Sequence, residues 1–139
     1  MTRSNRRQFL KHSAALSAGA ALGFPAILRA QSGPVKIGVL HPVTGFLAYS
    51  GNLCRLGAQM AIDEINAAGG IKSLGGAKLQ TVLGDAQSKP EVGVSEVEKM
   101  NEEGVSAIVG AYASAICLAT SQAAAKYAIP DVSPRSKPG

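Results

Sequence analysis

Hydrophobic positions along the chain alternate between two rhythms. Val35 to Leu40 is a short apolar run broken only by Lys36 and Gly38, bounded by turn residues, and it predicts a buried strand. Pro42, Thr44, Gly45 and Gly51 mark a loop. A helix is predicted from about Gly51 to Ala68, with Ser50 as its cap. Ala58, Ala61, Ile62 and Ile65 recur on one face at helical spacing, with Arg55, Gln59, Asp63 and Asn66 largely outside that stripe. Gly69-Gly70 ends it, since glycine takes the left-handed position after a helix at little cost.

Gly75-Gly76 predicts a turn. Lys78 to Leu83 then predicts a second strand, with Leu79, Thr81 and Leu83 on one side and Gln80 and Val82 on the other. Ser88-Lys89-Pro90 opens a second helix. Pro90 stands where its missing N–H costs nothing and Glu91 where the helix dipole favours an acid. Gly104 stops that helix, and Val105 to Val109 predicts a third strand. Ile116, Ala119, Thr120, Ala123, Ala124 and Tyr127 follow at helical steps, with Ser114 as N-cap and Ile129-Pro130 as the end. Asp131-Val132-Ser133 begins a fourth strand. The order βαβαβαβ predicts an α/β fold, a parallel sheet with helices on both faces. Right-handed crossovers and a strand order 2-1-3-4 bring the loops Pro42 to Ser50 and Gly110 to Ser114 together at the switch point, where open α/β sheets bind ligands.

The first thirty residues follow neither rhythm. Arg6-Arg7, then Phe9-Leu10-Lys11, an Ala- and Gly-rich apolar stretch from Ala14 to Leu28, and a small residue at Ala30 form a signal peptide of twin-arginine type. An amphipathic N-terminal helix is the alternative. On the signal reading the mature chain starts near Gln31 and works outside the cytoplasm, in the periplasm. Arg3, Arg6, Arg7, Lys11 and Arg29 account for the whole formal excess of +5, so the remainder is neutral and carries no electrostatic footprint for nucleic acid. Aromatics at 4% and the absence of Trp exclude a base-stacking platform, while 46% hydrophobic residues fit a globular domain. No apolar run is long enough to read as a membrane span.

Motifs for chemistry are mostly missing. Gly38, Gly45 and Gly51 fail the dinucleotide spacing, and Gly76 stands where a Walker loop needs Lys. His41 is the one histidine beyond the signal, too few for a multi-histidine metal site, and it reads as a plain strand-end residue. No cofactor and no catalytic residue are expected. Cys54 and Cys117 fall in the first turns of helices, a position that lowers thiol pKa values. They read as small buried residues on opposite sheet faces, without a disulfide. Glu96, Glu98, Glu102 and Glu103 read as a solvated helix face. What remains is a polar pocket for an anion. Ser114 and Ala113 stand at one helix start with free amides behind them, Tyr49 and Ser50 at another, and Ser136 follows the fourth strand. An ordinary N-cap is the plain alternative for Ser114.

These residues carry a resemblance. The signal is followed by Val35-Lys36-Ile37-Gly38-Val39-Leu40 and Thr44-Gly45. Gly57-Ala58, Ile65-Asn66-Ala67-Ala68-Gly69-Gly70-Ile71, Lys78-Leu79-Gln80, Asp85, Ile108-Val109-Gly110 and Ser114 come next. Together they resemble the leucine/isoleucine/valine-binding family of periplasmic solute-binding proteins, which serve ABC importers. The resemblance implies the type I binding-protein fold, two α/β lobes closing over a small solute, with a membrane permease as partner. It implies that Ser114 and its neighbouring amides hold a ligand carboxylate, that the Tyr49-Ser50 loop closes the pocket, and that the loop Arg135 to Lys137 adds polar contacts. Solutes of such a family include branched-chain amino acids, amides, urea and aromatic acids. Residues 31–139 are accordingly expected to be a partial N-terminal lobe, with the second lobe absent and the chain a truncated product or fragment. Asp131 breaks an otherwise apolar strand, and Arg135 and Lys137 replace smaller residues. Alternatives are a ligand-sensing regulator of the same fold, a non-functional fragment, or an exported enzyme on a nucleotide-type fold. The missing glycine fingerprint argues against the last.

Overall fold

The computed structural model describes residues 33–133. The signal segment and Ser136 therefore lie outside the described residues. Four strands form one sheet: β1 (Val35–His41), β2 (Leu79–Asp85), β3 (Ala107–Gly110) and β4 (Asp131–Val132). Three helices connect them: α1 (Ala48–Ala67), α2 (Pro90–Glu102) and α3 (Ser114–Lys126). A short 3-10 turn at Lys72–Leu74 precedes β2. The spatial order is β2-β1-β3-β4, and all pairings are parallel. This is the predicted α/β architecture.

β1 is the central strand because it is apolar on both faces. It pairs with β2 from Val35↔Leu79 to His41↔Asp85 and with β3 from Ile37↔Ala107 to Leu40↔Gly110. Leu40 and Ile108 point to the face covered by α2 and α3, where they pack with Val97, Met100, Ile116, Ala123 and Ala124. Alternation sends Val39 and His41 to the opposite face, beneath α1. The two faces follow from handedness. The crossover from β1 to β2 runs one way across the sheet and the crossover from β2 to β3 runs back, so right-handed connections place their helices on opposite sides.

Several boundaries differ from the sequence pattern, for identifiable reasons. α1 begins at Ala48, with Leu47 at its N-cap position, so Ser50 lies inside the first turn and does not cap. The entrance to α1 is fixed from outside, because the Leu47 amide donates to Ser88 Oγ at 3.1 Å. Ser114 is likewise the first helical residue of α3, while Ala113, in an extended conformation, holds the cap position and no side chain caps the helix. β2 runs on through Asp85, and β3 starts at Ala107 because Val105 and Ser106 are spent on the approach to the sheet. There the Ser106 amide donates to Lys36 O at 2.8 Å. The predicted inner stripe of α1 is only partly buried: Ile62 is, but Ala61 and Ile65 are exposed. The stripe of α3 packs as predicted at Ile116, Thr120, Ala123 and Ala124, and Tyr127 is partly exposed.

Candidate functional site

The carboxyl ends of β1 and β3 are hydrogen-bonded neighbours from which α1 and α3 depart on opposite faces. This is the switch point of the sheet, and the two loops leave it side by side. Glycine is required at two positions here, one where β3 meets the end of β1 and one where α1 packs on its own entering loop. A Cβ on Gly110 would lie 2.0 Å from Leu40 O, and a Cβ on Gly51 would lie 1.8 Å from Pro42 O. Between β3 and α3 the chain turns through Ala111, a buried residue with φ of 46°, outside the ordinary range for a side-chain-bearing residue. The Ala111 amide donates to Leu40 O at 2.7 Å, which ties this turn to the end of β1.

The loop from β1 to α1 is held by β2. Asp85 Oδ1 accepts from the amides of Val43 at 3.0 Å, Thr44 at 3.3 Å and Gln87 at 2.8 Å. Its Oδ2 accepts from Thr44 Oγ1 at 2.7 Å. Burial pushes the Asp85 carboxyl up, but the hydrogen bonds from the Thr44 hydroxyl and the three amides outweigh it and bring it below its ordinary value. Ser88 Oγ donates to Thr44 O at 2.7 Å and completes the clamp.

On this scaffold Tyr49 and Ser50 occupy the first turn of α1, and Ala113 and Ser114 the start of α3. Both pairs stand at the carboxyl end of the sheet. Ser114 is exposed, Ala113 and Ser50 are half-buried, and Tyr49 is largely exposed. Among the described residues the leading amides of α3 meet no side-chain acceptor, and such amides suit a carboxylate. No acid stands in the first turn of either helix to compete for that role.

Cys54 and Cys117 are both free, as expected from their opposite faces. The expected lowering of the Cys117 thiol is reversed. Burial raises it, Asp131 adds to the rise, and the thiol donates to Ala111 O. Glu98, Glu102 and Glu103 are exposed, and Glu96 pairs with Lys99 at 3.9 Å, so this run is a solvated face. His41 is the strand-end residue expected, but it is buried, and neither ring nitrogen finds a partner among the described residues. Asp131 sits half-buried in β4, where burial raises its carboxyl against the lowering effect of the Ser133 hydroxyl. Among the described residues no cluster of metal-ligating side chains occurs, and no helix is long and apolar enough to cross a membrane.

Sequence reasoning missed the clamp of Thr44, Asp85 and Ser88 and the strained turn at Ala111. The available signal was an acid at a strand end followed three residues on by Ser88, itself three positions before Glu91.

Comparison with known proteins agrees with this fold. Residues 34–139 match the family model described as periplasmic binding protein, and residues 3–23 match that of the twin-arginine translocation pathway signal sequence. The chain belongs to the periplasmic binding protein family and carries a twin-arginine signal for export to the periplasm. It is 37% identical over 100 residues to Leu/Ile/Val-binding protein homolog 1 of Brucella abortus, covering 72% of this chain and 26% of that protein. It is 39% identical over 114 residues to Leu/Ile/Val-binding protein homolog 8 of Brucella suis, covering 82% and 27%. Among solved structures, the branched-chain amino acid transporter substrate-binding protein LivJ of Streptococcus pneumoniae, in complex with isoleucine, superposes with a TM-score of 0.68. The identity is 36%, over 72% of this chain and 28% of that one. The leucine-binding protein LivK of Thermotoga maritima superposes with a TM-score of 0.66 at 30% identity, over 75% and 28%. The chain thus spans about a quarter of the length of its relatives. These relatives are solute-binding proteins, not enzymes.

Proposed function

We propose that the chain belongs to the substrate-binding component of an ABC importer for branched-chain amino acids or related small carboxylates and amides. Residues 1–30 are removed on export, and residues 31–139 form part of the amino-terminal lobe of a two-lobe clamp. The observation that carries the reading is that α1 and α3 both start from the carboxyl ends of the neighbouring strands β1 and β3, with α3's leading amides capped by no described side chain. The Ser114 hydroxyl and the amides behind Ala113 take the carboxylate, and the turn containing Tyr49 and Ser50 borders the solute. Ser136 belongs to the same proposal through its place after β4. The solute's ammonium is left to the opposing lobe, and the closed clamp docks on a membrane permease. The relatives named for leucine, isoleucine and valine support this solute class.

Magnitudes set the expected affinity of this half. Two charge-assisted hydrogen bonds at about 1.5–3 kcal/mol each and a helix terminus at about 0.3–1 kcal/mol total roughly 3–7 kcal/mol before ordering costs. Millimolar binding requires about 4.1 kcal/mol and micromolar about 8.2 kcal/mol. Residues 31–139 alone are therefore expected to bind leucine at millimolar strength or weaker. Titrating leucine into the isotope-labelled chain should shift the amide resonances of Ala113 to Ile116 and of Ala48 to Gly51 together. Shifts confined to other regions, or calorimetric micromolar binding by this chain alone, would overturn the half-clamp reading. A ligand-sensing regulator of the same fold is disfavoured by the export signal.

A further inference from the structure

The chain enters α1 through a turn that does not close on itself. Thr44 and Leu47 stand three residues apart, the separation at which a carbonyl and an amide join across a β-turn. These two do not bond each other. The Ser88 hydroxyl stands between them, donating to Thr44 O at 2.7 Å and accepting from the Leu47 amide at 3.1 Å. Only a group that donates and accepts at once can fill that place. The fit is close: Ser88 is buried, and a Cβ on Gly45, inside the turn, would lie 2.7 Å from its Oγ. Gln87 and Ser88 hold φ of 48° and 59°, a left-handed conformation that side-chain-bearing residues rarely adopt. Such strain persists only where the surrounding structure demands it. The same segment also reaches the other helix start. Gly93, in the first turns of α2, lies so close to α3 that a Cβ there would be 2.9 Å from Thr120 Cγ2 and 3.1 Å from Ile116 Cγ2. Leu47 and Ala113, at the cap positions of α1 and α3, pack on one apolar cluster that includes Ala86.

We propose that Ser88 is a positioning residue for solute binding: its hydroxyl props open the turn into α1 and so sets where Tyr49 and Ser50 stand relative to the start of α3. The role rests on the solute site proposed above. Ser88 touches no solute and acts through Thr44 and Leu47. Without the hydroxyl, the Thr44 carbonyl and the Leu47 amide both lose their partner at a part-buried place, a state that folded chains avoid. The nearest remedy is a direct bond between the two, which closes the turn and carries the first turn of α1, Ala48 to Gly51, with it. Asp85 does not prevent this. Its carboxylate holds the amides of Val43 and Thr44 and the Thr44 hydroxyl, and leaves the Thr44 carbonyl and Leu47 to Ser88. Asp85 thus fixes where the loop begins and Ser88 how it ends. The start of α3, which meets this segment through the packing of Gly93 and not through the hydroxyl, keeps its place.

The test compares the isotope-labelled exported chain with Ser88→Ala and Ser88→Gly, with and without leucine. Both variants lack the hydroxyl, but glycine accepts the positive φ that alanine resists, so Ser88→Gly is the more stable and remains a test if Ser88→Ala does not fold. Val105→Ala, in the buried approach to β3, is the control for stability lost elsewhere. Without leucine, both Ser88 variants should displace the amide resonances of Thr44 to Gly51 and leave those of Ala113 to Ile116 in place. With leucine, both should lose the shifts at Ala48 to Gly51 and keep those at Ala113 to Ile116, while the control keeps both sets. Resonances of Thr44 to Gly51 that stay put in the variants, leucine shifts that survive there, or a loss that follows denaturant midpoints rather than the hydroxyl would each overturn the positioning role alone. A parent chain whose two helix starts do not respond to leucine would overturn the solute site, and this role with it.

Discussion

Asp85 grips Thr44 twice, accepting from the hydroxyl at 2.7 Å and from the amide at 3.3 Å. The two residues are 41 positions apart in sequence, yet this pair sets the path of the chain from β1 into α1. Replacing Asp85 by Asn removes the charge that strengthens these bonds and, with the amide oxygen kept on the three backbone donors, turns the acceptor facing the Thr44 hydroxyl into a donor. We expect Asp85→Asn to destabilise the fold by about 1–2 kcal/mol, seen as a lower midpoint in urea. Because the folded-state carboxyl lies below its ordinary value, its stabilisation is present above the unfolded pKa and is lost as pH falls through the folded one. The Asn variant should therefore lose less stability than the parent below pH about 4.

His41 predicts a second acid sensitivity. Burial lowers its pKa first, and the neighbouring Arg55 lowers it further. Asp85, its register partner on β2, spends its oxygens on Thr44, Val43 and Gln87, so no acceptor compensates a charged ring. Folding thus favours the neutral imidazole. Stability is complete above the unfolded pKa of about 6.5 and falls as pH drops from there towards the folded value. Melting curves at several pH values between neutral and mildly acidic should show this decline, and His41→Phe should flatten it.

Gly51 packs on the Pro42 carbonyl of its own connection and Gly110 on the Leu40 carbonyl of the neighbouring strand, and neither place has room for a side chain. We expect Gly51→Ala and Gly110→Ala to unfold the chain or to cost at least about 1–3 kcal/mol. In each case the new methyl meets a backbone carbonyl that cannot rotate away. Gly57→Ala, whose Cβ meets nothing within 4 Å, should instead be neutral or slightly stabilising through higher helix propensity. Denaturant midpoints separate the two outcomes.

Ser114 provides a contrast between stability and binding. It is the first residue of α3 and caps nothing. Ser114→Ala should change stability by less than about 0.5 kcal/mol while weakening the leucine-induced shifts at Ala113 to Ile116. A large loss of stability would make it a structural residue.

Export depends on the paired arginines. Replacing Arg6 and Arg7 together by Lys should abolish appearance of the cleaved chain in the periplasmic fraction, while the parent, matching the signal model over residues 3–23, is exported.

The alternation of strand and helix was legible because each element carries a local signature. Apolar runs at Val35 to Leu40, helical spacing from Ile116 onward and Pro90 at a helix start all act within a few residues. The start of α1 was misplaced because its cap is not local: Ser88, far along the chain, serves the Leu47 amide. The same reason hid Asp85, whose partners lie on another loop. Ser114 looked like a cap because a serine before an apolar helical run ordinarily is one. Here the turn at Ala111 advances the helix so that Ala113 takes that place.

By itself the amino-acid sequence determined the export signal, the α/β class and the order of its elements, since these follow from periodicity and short motifs. The tertiary structure decided which loops meet, which amides stay uncapped and that His41 is buried without a partner among the described residues. Those properties depend on strand order and crossover hand, which bring together residues that no local pattern connects.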